Sequence, residues 1–450
     1  MDTWLTELLA AIPVHLRRRT LYLAFSGGLD SRVLLHGLLA LREKGLLDEV
    51  QLLHVHHGLL TEADEWAEEA QHLGAQLNVS VQVLRVEVDR QSGQGVEAAA
   101  RKARYAALTG VMRAGDVLLT AHHQDDQAET FLLQLMRGAG VRGLAAMPSL
   151  QPVSLRDGEG WHLRPLLHVS RAALLQQALR LGLTWVDDPS NADLSLARNH
   201  VRHEVLPVLM QHWPSARQTL ARCAGRMAST EGLLRDLARI DLHDLRSEDG
   251  RRLNVGDLLR LSVPRRQNAL RAWLLELGLP ALPEARLDEL SRVLAAREDA
   301  LPHVAWPGGA LVRWRDGLYA VSEAALRRQA HLPDWSGCFW SVQQPLDLPA
   351  LGVRLVPAQA LGRGLDAARV QQGLHVHVRS SLTSSSARAT LGKRFQALAI
   401  PPWGRAHVPL LYLEEHLVQV GNDWLAPAYR AQGQRSGIVV DVESLSESVT

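Results

Sequence analysis

The chain has 450 residues, more than one hydrophobic core usually serves, which predicts roughly two to four domains. Hydrophobic residues make up 46% and charged residues 22%, which excludes disordered, collagen-like and coiled-coil proteins. The formal net charge is only +1, so any nucleic-acid binding must come from local basic patches.

Cysteine usage and the N-terminal segment predict a cytoplasmic protein. Cys223 and Cys338 lie too far apart in sequence to suggest a disulfide framework or a CxxC metal or redox pair. Asp2 and Glu7 precede a short amphipathic stretch, unlike the basic start and apolar run of a secretion signal. No window approaches the ~20 uninterrupted apolar residues of a membrane helix. We therefore expect no membrane partner, and the oligomeric state is open between monomer and homodimer.

The first half of the sequence alternates short β-branched runs with amphipathic segments. The predicted strands are 21–25, 50–55, 79–86 and 117–121. The predicted crossover helices are 32–43, 62–73 and 95–112. This alternation is typical of a doubly wound, mostly parallel α/β sheet with helices on both faces.

The remainder of the chain changes character twice. A polar, turn-rich stretch at 185–202 precedes a helical pattern rich in Arg, Leu and Ala, and Pro302, Pro307, Gly308 and Gly309 interrupt it. Pro-rich and β-alternating text follows. We therefore expect an α/β domain at 1–210, a helical domain at 211–330, a small α+β domain at 331–435 and a frayed tail at 436–450.

The segment 26–31, Ser-Gly-Gly-Leu-Asp-Ser, lies between a predicted strand and a predicted helix. Such a turn presents free backbone N–H groups and a positive helix end to phosphate oxygens. Asp30 within an anion-binding loop implies a divalent cation, Mg²⁺, between the carboxylate and the phosphates. The loop lacks the Gly-Lys-Ser/Thr ending of a Walker A sequence. The alternative interpretation is an ordinary strand-to-helix turn with Asp or Ser as cap.

A second polar cluster, LTAHHQDDQAET at 119–130, follows the predicted strand 117–121. Ligands of open α/β sheets bind beyond the carboxyl ends of the strands, where both clusters fall. Asp126 and Glu129 are three residues apart and share a helix face, where they could hold Mg²⁺, bind an amine or act as a base. The imidazoles of His122 and His123 could stabilise phosphate charge. Two alternatives remain, a transition-metal site with HVHHG at 54–58, and acids that merely cap a helix.

Arginines recur beside turns and helix segments where a polyanion would meet the α/β domain. Guanidinium groups suit forked contact with phosphate, although a solvated surface role fits each one taken singly. The candidates are Arg101, Arg104, Arg137, Arg164, Arg198 and Arg202.

Taken together, the motifs resemble the tRNA(Ile)-lysidine synthetases, a family with a PP-loop of the SGGxDS type. The matches occur in order along the chain. They are SGGLDS (26–31), HVHHGL (54–59), ARKARY (100–105), TAHHQDDQAET (120–130), RGAGVRGL (137–144), RPLL (164–167), DDPSN (187–191) and RNHVR (198–202). The segment 393–427 also resembles the small C-terminal domain of that family.

The resemblance implies a ligase that uses ATP and Mg²⁺ to adenylate C2 of the wobble cytidine in a CAU anticodon of tRNA(Ile). The ε-amine of lysine then displaces AMP, which gives lysidine and changes the codon read from AUG to AUA. The implied partners are this tRNA, L-lysine and ATP. Domains 211–330 and 331–435 would bind tRNA.

The resemblance also implies roles for single residues. The catalytic group is Asp30, Asp126, Glu129, Arg104 and Arg198. ATP would bind Ser26, Gly27, Gly28, Leu29, Asp30, Ser31, His54 and His122. Asp126 and Glu129 would bind lysine, and Asp30 would bind Mg²⁺. The tRNA or its cytidine would contact Arg101, Arg104, Arg137, Arg198 and Arg202.

The sequence departs from the family pattern at His56 and Leu60, where Asn and Arg are common, and at the basic run near Phe395, which is reduced to Lys393 and Arg394. A related thiolase is disfavoured because both cysteines lie outside the predicted catalytic domain. Amidotransferase relatives would need an ammonia source, and no N-terminal Cys is present. A nucleotide-sensing or RNA-binding module without catalysis is a further alternative, against which Asp30, Asp126 and Glu129 argue.

Overall fold

The computed structural model describes residues 2–56, 58, 62–87, 96–247, 250–297, 301–323, 335–382 and 384–445. The chain forms two compact units, Met1–Leu234 and Arg235–Thr450. The first unit therefore includes the beginning of the predicted helical domain. His57, Leu59 and Leu60 of the second motif lie outside the described residues, as do the expected boundary at 330 and the last five residues of the expected tail.

A six-stranded sheet forms the centre of the first unit, in the order β3-β2-β1-β4-β6-β5. All neighbouring pairs are parallel except β5 with β6, which form an antiparallel hairpin. The strands are β1 (Leu21–Ala24), β2 (Val50–His56), β3 (Val81–Arg85), β4 (Val117–Leu119), β5 (Leu150–Leu155) and β6 (Gly158–Leu163). The four predicted strands are confirmed within a few residues, whereas the hairpin was not predicted.

Helices cover both faces of this sheet. Leu23 and Leu119 pack with α1, α2 and α7 on one face, while Leu53 and Leu118 pack with Leu108 of α4 on the other. The helices of the unit are α1 (Thr3–Ala10), α2 (Leu29–Glu43), α3 (Ala63–Gln76), α4 (Val96–Gly110), α5 (Gln124–Met136), α6 (Val141–Leu144), α7 (Arg171–Arg180), α8 (Ala197–His200) and α9 (Leu206–His212), followed by α10 (Ala216–Leu245). The doubly wound fold class is thus confirmed.

The order of the strands reverses between β1 and β4, which lie side by side. Chain connections leave these two strands in opposite directions, so a crevice opens beyond their carboxyl ends. The loop 26–31 follows β1 and the cluster 120–130 follows β4. The topology therefore brings the two predicted motifs together.

The second unit begins with a helical layer packed on an antiparallel sheet. Trp273, fully buried, lies at the centre of this core. The elements are α11 (Val255–Arg260), α12 (Val263–Glu276), α13 (Leu287–Ala295), β7 (Arg252–Asn254), β8 (His303–Trp306), β9 (Gly309–Trp314) and β10 (Gly317–Val321). The region 211–330, predicted to be helical, does contain helices, but it also contains a four-stranded antiparallel sheet that was not predicted. Pro307 and Gly308, read as helix breakers, form the turn of the β8–β9 hairpin, where Gly308 has φ +90°.

Two antiparallel sheets and one helix form the C-terminal region, in agreement with the predicted α+β class. One sheet has the order β11-β15-β16-β17-β18 and the other β12-β13-β19-β14. Their elements are β11 (Cys338–Trp340), β12 (Leu346–Leu348), β13 (Val353–Leu361), β14 (Leu365–Asp366), β15 (Leu374–His377), α14 (Ser385–Ala397), β16 (Leu410–Leu413), β17 (His416–Val420), β18 (Trp424–Leu425) and β19 (Ser436–Ser444).

The prediction of a frayed tail from residue 436 is wrong. β19 pairs with β13 over nine residues, from Ser436 opposite Leu361 to Ser444 opposite Val353. Val440 is buried, and Ile438 and Val442 pack against the same core, so every second residue of the strand faces inward. The acidic residues between them face outward and gave the segment its tail-like composition.

No helix among the described residues is both long and apolar enough to span a membrane.

Candidate active site

The loop 26–31 turns the chain from the end of β1 into the first turn of α2. Gly27 has φ +80°, a conformation that favours glycine, and Gly28 is the N-cap of α2 without a side-chain cap. Ser31 Oγ donates to the Gly28 carbonyl oxygen at 2.9 Å, and Val186 N donates to the Gly27 carbonyl oxygen at 3.1 Å. The geometry is that of an anion-binding helix N-terminus.

His123 joins this loop to the first turn of α5. Its Nε2 atom lies 3.5 Å from Asp30 Oδ2 and 3.5 Å from Asp126 Oδ2. The His123 backbone N–H also donates to Asp126 Oδ2 at 2.9 Å, which caps α5. Burial lowers the pKa of His123, but Asp30 and Asp126 outweigh it and the pKa is raised. His123 therefore lies between two carboxylates from two motifs, and both carboxylates favour its charged form.

Glu129 and Asp126 share the guanidinium of Arg202. Arg202 Nε donates to Glu129 Oε1 at 2.6 Å, and Nη2 lies 3.1 Å from both Glu129 Oε2 and Asp126 Oδ1. Arg198 approaches from the same segment, with Nε 3.5 Å from Glu129 Oε2 and Nη2 donating to Thr130 at 2.8 Å. Arg202 belongs to a π-helical turn, Val201–Val205, and such turns are frequent at functional sites.

The two carboxylates have opposite electrostatic environments. Burial raises the pKa of Glu129, which is 1% exposed, and Asp126 raises it further against the opposing effect of Arg202. Burial also raises the pKa of Asp126, but His123, His122 and the capping N–H together bring it below its usual value. Asp126 is therefore the permanent anion, and Glu129 is the carboxylate better suited to accept a proton.

Asp125, the third acid of the cluster, points away from this group. Its Oδ1 accepts the Arg171 backbone N–H at 3.1 Å and its Oδ2 lies 3.0 Å from Arg217 Nη1. These bonds tie α5 to the start of α7 and to α10. Asp125 therefore has a structural role, as capping and pairing acids do.

The predicted histidines His54 and His122 contact residues at the ends of β1 and β4. His54 is buried and its Nδ1 lies 3.0 Å from the Phe25 carbonyl oxygen, one residue before the loop. Burial lowers the pKa of His122 to about 3, so its ring is neutral. Thr120 Oγ1 lies 2.8 Å from both His122 Nδ1 and His162 Nε2. The sequence analysis did not identify His162 as part of the site. It lies on β6, in the hairpin that was not predicted.

The other predicted arginines have different surroundings. Arg101 stacks over Tyr105, 5.1 Å from its ring centre. Burial lowers the pKa of Arg104, while Tyr105 and Asp188 counteract this. Arg164 is buried and donates to the Pro148 carbonyl oxygen at 2.8 Å, which makes it part of the framework. Arg137 is exposed after the last turn of α5, at the helix end opposite Asp126.

Asp30 offers the feature expected of a cation ligand. Its Oδ1 is buried and has no hydrogen-bond partner, which is costly for a carboxylate oxygen unless a ligand completes it. In the described part of the chain, no three His, Cys, Asp or Glu side chains are grouped as metal ligands. A hard cation held by Asp30 and by ligand phosphates fits this donor set.

Comparison with known proteins identifies the family of the chain. Family models described as a PP-loop domain, a TilS substrate binding domain and a TilS substrate C-terminal domain match residues 2–209, 253–319 and 377–442. The tRNA(Ile)-lysidine synthase of Alkalilimnicola ehrlichii is 43% identical over 420 residues, which covers 91% of each chain. That of Pseudomonas syringae pv. tomato is 39% identical and covers 92% of this chain and 91% of its own. The resemblance is therefore confirmed, and the chain belongs to the tRNA(Ile)-lysidine synthase family.

Proposed function

We propose that the chain ligates L-lysine to C2 of the wobble cytidine of a CAU-anticodon tRNA(Ile), with ATP converted to AMP and diphosphate. The observation that carries this proposal is the juxtaposition across the β1–β4 crevice. The anion-binding loop contains Asp30, and His123 links Asp30 to Asp126, which shares Arg202 with the buried Glu129. One site thus combines a loop that can bind a triphosphate with carboxylates that can bind an amine. A two-step ligation through an adenylate requires both.

In the first step the loop 26–31 would hold the triphosphate at the N-terminus of α2. Asp30 would hold Mg²⁺, which when bound neutralises charge on the departing diphosphate. The cytidine O2 attacks the α-phosphorus, and the bond from that phosphorus to the diphosphate breaks. Neutral His122 can donate a hydrogen bond to phosphate without requiring desolvation of a charged ring. His54 positions the loop through the Phe25 carbonyl group.

In the second step Asp126 and Glu129 would bind the lysine ammonium. The ammonium has no lone pair, so a proton must leave before nitrogen attacks C2. The raised pKa of Glu129 suits it to take that proton. The C–N bond then forms, the C–O bond to AMP breaks, and AMP departs with both bonding electrons.

The arginines would serve the RNA and the adenylate. Arg104 and Arg198 would orient the activated cytidine, and Arg101, Arg137 and Arg202 would contact anticodon nucleotides or phosphates. Arg202 satisfies both carboxylates in the structure, so lysine would share them or displace it. Chemistry on a base requires the base to leave its stack, which is inexpensive in an anticodon loop.

We assign residues 1–210 to catalysis, and residues 211–330 and 331–445 to tRNA binding, in the cytoplasm; the last range includes β19. The two substrate-domain matches support this division.

The test measures labelled lysine incorporation and diphosphate release with ATP, Mg²⁺ and the CAU-anticodon tRNA(Ile). We expect Asp30→Ala to lose both products, because it removes the cation ligand. Glu129→Gln should retain tRNA-dependent diphosphate release and lose about 10²–10⁴-fold in lysine transfer, the usual contribution of a general base. Glu65→Gln, an exposed change on α3, is the matched control.

Folded wild-type protein that transfers no lysine to this tRNA overturns the proposed function. Equal loss of diphosphate release in Asp30→Ala and Glu129→Gln instead refutes the division of roles between them.

A further inference from the structure

Aromatic side chains form a row across the C-terminal sheet, here called the aromatic row and defined as Phe339, His375, His377 and Tyr412. Phe339 lies directly opposite His375, and His375 directly opposite Tyr412, on three adjacent strands. The ring centres of Phe339 and His375 are 5.5 Å apart, and His377 lies 6.3 Å from His375 and 5.3 Å from Tyr412. The alternate residues of these strands point into the core on the opposite face.

The row is covered at one end and open at the other. Tyr412 packs against Leu391 and Phe395 of α14. Phe339 is 57% exposed, and His375 is exposed as well. Phe339 lies on the edge strand β11, and His375 lies beside it on β15. Exposed side chains such as these contribute little to the core, so folding alone does not explain them.

Two glycines leave room for the rings. Gly373 has φ +90°, and a Cβ there would lie 2.3 Å from Phe339 Cζ. Gly337 has φ +100°, and its Cβ would lie 3.0 Å from His377 Nδ1. The rings can therefore lie against the backbone with one face free, which is the geometry of a stacking platform.

Positive charge adjoins the row without a compensating acid. Arg379 is exposed and follows His377 by two residues. Arg379 and Arg315 both lie near Arg405: burial lowers the pKa of Arg405 most, and the positive charges of Arg379 and Arg315 lower it further. None of these three arginines pairs with a carboxylate among the described residues. Arg315 instead stacks over Trp314 and donates to the Gln396 carbonyl oxygen at 3.1 Å. Clustered guanidinium groups of this kind favour an anionic partner.

We propose that the aromatic row and Arg379 bind the unpaired 3′ end of the tRNA. A nucleobase stacks on Phe339 and His375, and the guanidinium contacts a phosphate. Stacking requires an unpaired base, which excludes duplex stems. The anticodon loop is used by the catalytic crevice, and the D and T loops of a tRNA contact each other, so the 3′ end is the free single strand. This inference rests on the proposed function, which supplies tRNA as the substrate.

The test compares binding of the full-length protein to the intact tRNA and to the same tRNA without its unpaired 3′ nucleotides, by fluorescence anisotropy. Base stacking on an aromatic ring contributes about 1–3 kcal/mol, so we expect at least about fivefold weaker binding of the shortened tRNA. Phe339→Ala with His375→Ala should weaken binding of the intact tRNA equally and no longer distinguish the two RNAs. Phe339→Trp should restore the difference.

Leu361→Ala is the matched control, since Leu361 is 68% exposed on the other sheet of the same region. Arg379→Gln should reduce the slope of log affinity against log salt by about one. Equal binding of both RNAs by the wild type overturns the inference, as does a double variant that still distinguishes them. The anisotropy experiment measures tRNA binding and not lysine transfer. Absence of lysine transfer would therefore count against the proposed function and not against this inference.

Discussion

Individual side chains of the crevice differ in chemistry because their surroundings differ. Asp126 and Glu129 lie one helical turn apart, yet the pKa of Asp126 is lowered and that of Glu129 is raised. Burial raises the pKa of both, but Asp126 receives the capping N–H and adjoins His123 and His122, whereas Glu129 adjoins the negative charge of Asp126. Spacing alone predicted that these acids share a face, and their protonation could not be predicted without the neighbours.

A second feature at the residue scale is the conformation of Gly27. Its φ is +80°, which costs a residue with a Cβ about 1–2 kcal/mol. The nearest side-chain atom, in Val186, is 3.5 Å from the position of that Cβ, so the cost comes from the backbone conformation and not from a clash.

We expect Gly27→Ala to lower the free energy of unfolding by about 1 kcal/mol and to weaken ATP binding at least tenfold, because the loop N–H groups would turn. Gly45→Ala, at φ +68° with open space around it, should have a similar stability effect and wild-type ATP affinity. Equal ATP affinities for the two variants would contradict the assigned role of the loop. Calorimetric titration and urea unfolding measure both quantities.

Among the elements, α5 contributes most to the site. Its first turn carries Asp125 and Asp126, and the helix directs them to opposite sides. Asp125 bonds to α7 and α10, while Asp126 faces Asp30 and Arg202. Sequence adjacency therefore grouped three acids that the helix separates into one structural residue and two candidate catalytic residues.

The strand β19 shows where local composition misled the prediction. Ile438, Val440 and Val442 alternate with polar residues, so a two-residue period was present in the sequence. Its partner β13 precedes it by 75 to 91 residues along the chain, and the serines and acids of the segment do not favour a strand. The alternation of residues within 436–444 could have predicted a strand, but not that this strand pairs with β13.

Truncation after Arg435 should therefore destabilise the C-terminal sheet. Each of the three apolar side chains stabilises the fold by about 1.5–3 kcal/mol when fully buried, so we expect loss of a cooperative thermal transition and rapid proteolysis of this region. Glu443→Gln, an exposed change within β19, should leave both unchanged. Wild-type melting of the truncated chain would mean that β19 contributes little.

At the scale of the whole molecule, buried neutral histidines make stability depend on pH. Burial lowers the pKa of His162 to about 2 and that of His122 to about 3. As pH falls below about 6.5, the unfolded chain gains protons at these positions and the folded chain does not. Stability is therefore complete above about pH 7 and is lost progressively as the pH decreases.

We expect His162 alone to cost the first unit about 2–3 kcal/mol between pH 7 and pH 4.5, since the ring is only 1% exposed. His162→Gln should be less stable than the wild type at pH 7.5, and the gap should shrink towards pH 4.5. Urea unfolding at a series of pH values measures the gap. A constant gap would show that His162 titrates with the same pKa in the folded and the unfolded chain, which would contradict this prediction.

From sequence alone we could predict the class of the first domain, the family, and the positions of the proposed phosphate-binding loop and of the second motif after β4. These features are local, since a strand, a glycine turn and a helix are specified by neighbouring residues. The tertiary structure decided what contacts them: Arg202 on Asp126 and Glu129, His123 between the motifs, His162 beneath Thr120, and β19 in the sheet. Those contacts join residues that are far apart in the chain, and only packing of the whole fold brings such residues within hydrogen-bond distance.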